Sequence, residues 1–427
     1  MKNKYLIVTL LALLAPEVSA QQLLVNITIE GLNAEKMIAE SGKNGSTGFR
    51  KLVERAMFYE KAFYPFDAVD QASSVAALVT GATPLYNGIT ANRWYDVAKR
   101  RPVGCTDDET PSNLLCSTLA DELKVATNGA ALVFSIANDK ETAILSAGHA
   151  ANAAIWRDEA SRKWRTSTYY AKKKIKWLDA IGVQGVNKDN AALVKLAVQC
   201  VESQSLGSDA VCDILSVHFD DDQYDNLDRC VGSLVDGIEQ KVGAQKVIFC
   251  MTGTSHTDEP YSDAYQRMRV PTGTFYVNRT ASLLNMYLSA IYGRSQYVLG
   301  YYRNHIFLDR EIIEQRHLNK SELISKSRTF LFDCDGVVNV KTAGDGLSPH
   351  SGELEIEVRP GWTLLNEDTG DKYQCRSAAQ PVPLLIVAPN IKPQRIITTV
   401  TLDRLAPTLA GCIHIRAPNA SKAEPLF

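Results

Sequence analysis

The residue types that could carry chemistry are spread unevenly along this chain. An acidic run, Asp220-Asp221-Asp222, follows a short apolar stretch and supplies oxygen donors of the kind that hold calcium loosely. It also precedes an amphipathic segment, where carboxylates favour the positive end of a helix. Ser73 and Ser74 stand at the start of a segment of small and apolar residues, and they read as packing or capping residues. No Ser, His and Asp set with the roles of a nucleophilic triad is evident, so metal-free covalent chemistry has no carrier. The seven histidines occur singly along the chain. Nine cysteines include no C-x-x-C pair and no Cys/His grouping with zinc-finger spacing, which excludes a structural zinc site of that type. Lys172-Lys173-Lys174 reads as the solvated face of a helix rather than a phosphate patch.

The elements that must position these residues follow from apolar periodicity. Leu23 to Ile29 reads as a buried strand ending at Glu30-Gly31, and Ala131 to Ile136, Asp213 to Val217, Lys246 to Cys250 and Leu384 to Val387 read as further strands. Phe49 to Phe63 carries apolar residues at helical spacing and predicts a helix packed on a sheet. Asp67 to Gln71 is a polar turn, followed by a helix from Ser73 to Val79 that stops near Gly81. Helices are also expected over Leu119 to Val125 and Leu227 to Val242. Strands alternating with helices predict an α/β fold, with a mostly parallel central sheet covered by helices on both faces. There are no internal repeats, and Gln380-Pro381-Val382-Pro383 is too short to be a linker. Residues 21–427 therefore read as one compound domain with insertions.

Met1-Lys2-Asn3-Lys4, an apolar run from Tyr5 to Leu14 and the exit Val18-Ser19-Ala20 form the three parts of a cleavable secretory signal over residues 1–20. The run is shorter than the about 20 residues that a bilayer crossing needs, and no later stretch is apolar enough to cross. The protein is expected in the periplasm or at the cell surface, with no membrane span. A formal net charge of −2 offers no electrostatic case for a nucleic-acid partner. Nine cysteines in an oxidising compartment predict disulfides, with Cys105–Cys116 first and Cys200–Cys212 second, and an odd count leaves one thiol over.

Several ordered segments resemble the alkaline-phosphatase superfamily, and most closely its secreted phosphate-irrepressible branch, related to the nucleotide pyrophosphatase/phosphodiesterases. Thr80-Gly81-Ala82-Thr83-Pro84-Leu85-Tyr86-Asn87-Gly88-Ile89 matches the T-G-x-x-P-x-x-x-G-I signature, and Thr90-Ala91-Asn92-Arg93-Trp94 follows it. Thr118 to Leu123, Ala143 to His149, Thr166 to Tyr170, Pro360-Gly361-Trp362, Asn390 to Pro393 and Thr401 to Leu409 continue the likeness in order.

The resemblance implies two zinc ions held by Asp and His, and a Thr or Ser that attacks phosphorus. Paired metals of this kind stabilise both the attacking and the leaving oxygen. Here the residues depart from that pattern. Glu30 stands where the first Asp ligand is expected, as a weak ligand or a pocket-wall residue. Gln71 occupies the nucleophile position, nine residues before Thr80, and a carboxamide is no nucleophile. The loop carrying an Asp/His ligand pair after the Val217 strand is missing. Thr254 and Ser255 replace the next Asp-His pair, or, with a shift of one residue, His256 survives alone. No His precedes the Val382-Pro383-Leu384-Leu385 strand, His149 belongs to the A-G-H stretch and reads as structural, and His218, His305, His317, His350 and His414 match none of the ligand positions that the resemblance implies. Asn92 matches a residue that contacts a phosphoryl oxygen, and the cationic helpers map near Asp139-Lys140-Glu141, where charge is reversed.

These residues read as a catalytically inactive member that keeps the scaffold for binding or assembly with another protein, and with no cofactor. The alternative is a metal-dependent phosphomonoesterase or phosphodiesterase with an atypical site, in which zinc is retained by Glu30, Asp220 and His256. The signal predicts an exported chain beginning at Gln21. N-terminal sequencing of exported protein checks this, and a start well away from Gln21 counts against it.

Overall fold

A computed structural model describes residues 21–43, 45–66, 70–171, 175–180, 189–254, 268–342, 350–374 and 381–427. The expected signal segment, Lys172-Lys173-Lys174, Ser255 and His256 lie outside the described residues. The main sheet contains β1 (Leu23–Glu30), β2 (Met57–Phe63), β3 (Val133–Ile136), β4 (Ala153–Asp158) and β5 (Lys163–Arg165). It is completed by β6 (Asp213–Phe219), β7 (Val247–Thr254), β8 (Val382–Val387), β9 (Gln394–Ile396) and β10 (Val400–Thr401). Across the sheet the order is β9-β2-β8-β7-β1-β6-β3-β4-β5, with β10 also on β2. β1 runs parallel to β6 and β7, and β3 runs parallel to β6 and β4. β8 is antiparallel to both of its neighbours, β7 and β2. The α/β class and the mostly parallel sheet are as the periodicity predicts.

Alternation along the three central strands explains both the core and the site. Leu23, Val25, Ile27 and Ile29 of β1 join Leu215, Val217, Phe219, Phe249 and Met251 in one buried layer. That layer packs against α4 (Asn190–Gln204) and α5 (Tyr224–Val242). The opposite face begins apolar, with Leu24, Ile214 and Ile248 packed on α1 (Gln71–Thr80), α2 (Leu119–Ala126) and α6 (Leu405–Cys412). It then turns polar toward the strands' carboxyl ends. In register, Asn26 neighbours Ser216, Thr28 neighbours His218 and Thr252, and Glu30 neighbours Thr254. Successive side chains point to opposite faces, so these polar positions form one patch.

The helix expected over Phe49 to Phe63 is corrected: only Phe49–Val53 is helical, and Met57–Phe63 is strand β2. β2 pairs with β8, β9 and β10, so the sheet decides the conformation of a segment whose apolar spacing suits either element. Helix α1 starts at Gln71, earlier than expected, because Asp70 caps it. The Asp70 carboxylate accepts from Ser73 N at 3.0 Å, and Ser73 Oγ accepts from Asp70 N at 2.9 Å. Ser73 thus has the capping role its position suggests. Gly81 ends the helix at φ +63°, and a Cβ there would lie 2.7 Å from Ser421 Oγ and 3.0 Å from Asp403 O. The Asp220-Asp221-Asp222 run does not cap α5, whose N-cap is Gln223 with no side-chain hydrogen bond.

Between β7 and β8 the chain builds two smaller sheets around a separate core that includes Leu284, Leu288, Tyr297, Ile306 and Ile356. A hairpin of this insertion, Val298–Tyr302 with His305–Leu308, turns at Arg303 (φ 52°). Arg303 reaches Asp70, with 3.6 Å between guanidinium and carboxylate. The insertion therefore touches the start of α1.

The expected disulfides are absent among the described residues: Cys105, Cys116, Cys200 and Cys212 are all unbonded. Cys105 packs in an apolar cluster with Ala72, Val75, Trp94 and Leu145, so it serves as core. Burial pushes its thiol well above the ordinary range, and pushes Cys116 up to about 11. Non-reducing peptide maps are expected to show both as free thiols, with Cys105 unreactive to thiol reagents until the protein unfolds. A Cys105–Cys116 crosslinked peptide overturns this.

His149 has a structural role, as its sequence context suggests. Its Nδ1 meets the Asp121 carboxylate at 2.9 Å and its Nε2 meets Leu114 O at 3.0 Å. Both acceptors favour the imidazolium, and the hydrogen bond to Asp121 raises the His149 pKa above 6.5 against the burial penalty. Because the folded pKa is raised, the pair's contribution is complete below pH 6.5 and is lost as pH rises through the folded value. His149→Ala should cost roughly 0.5–1 kcal/mol near pH 6, a figure reduced for the exposed ring, and less at pH 9. Urea unfolding at the two pH values checks this.

Candidate functional site

The polar patch at the carboxyl ends of β1, β6 and β7 is covered by the first turn of α1, which brings Gln71 onto it. Gln71 is 8% exposed. Its Oε1 accepts from Thr254 Oγ1 at 2.7 Å, and its Nε2 donates to His218 Nε2. A longer contact of 3.4 Å runs from Nε2 to Thr142 Oγ1. His218 Nδ1 lies 2.8 Å from Thr28 Oγ1 on β1. With Nε2 accepting, the neutral ring carries its proton on Nδ1, which donates to Thr28. One residue from each central strand, Thr28, His218 and Thr254, thus holds a single buried carboxamide.

Asn92 secures the same turn from outside. Its Oδ1 accepts from Ala72 N at 2.8 Å, and its own N–H donates to Asp70 Oδ2 at 2.6 Å. Glu30 ends β1 beside Thr254 in register. The structure therefore gathers Glu30, Gln71 and Asn92 at one sheet edge, while His256 lies outside the described residues.

His218, which sequence reasoning set aside, is central and 3% exposed. The signal for it was present: in Asp213-Ile214-Leu215-Ser216-Val217-His218-Phe219 it shares a face with Ser216, as Thr28 does with Asn26. Asp139, beyond β3, caps α3 (Lys140–Ala147) by accepting from Thr142 N at 2.7 Å. Donor atoms of Asp139, His218 and Asp220 lie within 4.8 Å of one another, the one cluster of its kind among the described residues. Burial raises the Glu141 pKa, and Asp139 and Asp107 add to the effect. The surroundings are acidic, with Arg303 already drawn to Asp70.

The paired zinc ions that the resemblance implies do not fit these residues. Where the resemblance expects the nucleophile, Gln71 is a carboxamide whose oxygen and nitrogen are both engaged, and where it expects a carboxylate ligand, Thr254 presents a hydroxyl. A separate cleft of about 570 Å³ opens beside the site, lined by residues that include Trp94, Tyr95, Phe307 and Arg310. Trp94 stacks there on His350 at 4.1 Å. No described helix is long and apolar enough to cross a membrane.

Comparison with known proteins places this geometry in context. Residues 24–379 match the model of the type I phosphodiesterase/nucleotide pyrophosphatase family. The chain is similar to the calcium-transporting ATPase of Myroides odoratus, at 23% identity over a 534-residue alignment covering 97% of this chain and 96% of that one. It is also similar to the alkaline phosphatase PhoV of Synechococcus elongatus, at 20% identity, with 95% of this chain and 92% of that one covered. Among solved structures, wild-type alkaline phosphatase PafA, known from Elizabethkingia meningoseptica, superposes with a TM-score of 0.82 at 18% identity. That superposition covers 95% of this chain and 98% of the other, and it shows the shared fold. Taken with the ordered signature segments, the match over residues 24–379 means that the chain belongs to the type I phosphodiesterase/nucleotide pyrophosphatase family of the alkaline-phosphatase superfamily.

Proposed function

We propose that this chain is an exported, non-hydrolysing phosphodiesterase-family protein that binds or assembles with a protein partner at the periplasm or cell surface. The observation that carries this reading is Gln71. It stands at the position where the resemblance places the nucleophile, and its carboxamide is locked between His218 and Thr254. An amide has no lone pair suited to in-line attack on phosphorus, and here its polar atoms are engaged. Electrostatics point the same way. Asp139 and Glu141 occupy places where the resemblance expects cations, and a phosphate dianion meets like charge there. With neither a nucleophile nor a paired-metal ligand set, a phosphate ester that entered would meet no group placed to attack its phosphorus.

Gln71→Thr alone should not create a phosphatase, because the substitution returns a hydroxyl without the groups that lower its pKa. The test is to assay wild type and Gln71→Thr with added zinc against mono- and diester substrates, expecting no turnover by either. Zinc-dependent turnover by the wild type overturns the non-hydrolysing reading. Turnover confined to the variant means that Gln71 alone silences an otherwise complete site.

A further inference from the structure

We propose that Asp139, His218 and Asp220 form a binding site for a single divalent transition-metal ion of the zinc class, with Asp139 and His218 at positions where the family resemblance assigns no ligand. Topology makes the site. β3 and β6 are parallel neighbours with Ile136 opposite Val217, so their carboxyl ends coincide. Asp139 follows one end, while His218 and Asp220 close the other. One ring nitrogen and two carboxylate oxygens lie within 4.8 Å of one another, so that small side-chain rotations bring all three to about 2.0–2.2 Å from a shared point, the usual zinc–nitrogen and zinc–oxygen lengths.

The supporting shell is already built. Thr28 Oγ1 lies against His218 Nδ1 and so directs Nε2, with its lone pair, away from β1. Asp220 accepts from Asn138 Nδ2 at 2.9 Å, and its backbone N–H donates to Asn190 Oδ1 at 3.0 Å. Asp139 is oriented by its cap on α3. Asn138 is an independent pointer: it is 4% exposed, its amide is turned onto Asp220, and its Oδ1 has no hydrogen-bond partner. A buried amide oxygen left so is destabilising, and a cation or its bound water relieves it.

Gln71 adapts to the ion. The Thr254 hydroxyl accepts as readily as it donates, so the carboxamide can turn over and present Oε1 beside His218 Nε2. One imidazole with two carboxylates and an amide oxygen favours a borderline ion such as zinc over calcium, which takes six to eight oxygens. The bound ion also offsets the two carboxylate charges, so that an anionic group of a ligand meets less repulsion there.

The experiment is calorimetric titration of the chelator-treated mature chain with zinc chloride. The expected result is one equivalent bound per chain. Asp139→Asn and Asp220→Asn should each weaken binding by about tenfold or more, while Asp221→Asn, in the same acidic run but outside the cluster, should leave it unchanged. Asn at position 139 still caps α3, and melting curves of the metal-free variants confirm that they fold. The proposal is overturned by absence of saturable binding in the wild type, or by affinities in the Asp139 and Asp220 variants equal to wild type. The readout is binding rather than turnover, so it stands or falls separately from the non-hydrolysing reading.

Discussion

A buried carboxamide has two opposite requirements, an acceptor for its N–H groups and a donor for its oxygen, and leaving either unmet costs about 1–3 kcal/mol. Gln71 meets both through side chains of β6 and β7, and His218 is in turn braced by β1. That requirement fixes the first turn of α1 against three adjacent strands at once. Asp70, Asn92 and Arg303 attach to the same turn, so the hairpin of the inserted segment is registered on the main sheet through it. The position where relatives are expected to place their reacting group is here a junction of hydrogen bonds.

Much of this was legible in the sequence because period-2 alternation and the ordered signature segments are local signals. Leu23 to Glu30 shows a continuous apolar set on odd positions and, after Leu24, a polar set on even ones, which is the core-facing and site-facing division of β1. Counting back from Thr80 directs attention to Gln71, and the structure puts Gln71 at the centre of the polar patch. What failed was non-local. Phe49 to Phe63 has spacing that suits a helix, and only pairing with β8, β9 and β10 makes its second half a strand. His218 was passed over because motif positions were compared one at a time, whereas its meaning comes from the register of β6 against β1. The cysteines misled because an exported context argues for crosslinks, while Cys105 is surrounded by Ala72, Val75 and Leu145 and acts as an apolar filler.

A packed polar junction needs few special residues when the scaffold supplies hydroxyls nearby. Thr142 and Thr254 meet Gln71 while Thr28 meets His218, and each hydroxyl accepts or donates as its neighbour demands. The family fold is thereby kept at high coverage although identity to the compared relatives is near 20%. Core alternation and the α1 caps carry the architecture, and they tolerate exchange at the patch itself.

The antiparallel strand β8 sets the order in which the molecule can assemble. It lies between β2 and β7, yet it is made after the whole insertion, and the bond from Thr252 to Pro383 spans 131 positions. The contact of Arg395 with Glu60 spans 335. Until those residues are synthesised, β2 has no partner and β7 presents an open edge, the arrangement that recruits foreign strands. Closure of such distant pairs is slow because loop entropy opposes it before any contact forms. The sheet is therefore finished from its middle, last, by the segment that arrives nearly last, and a chain stopped before Val382 keeps two sticky edges in place of one continuous sheet.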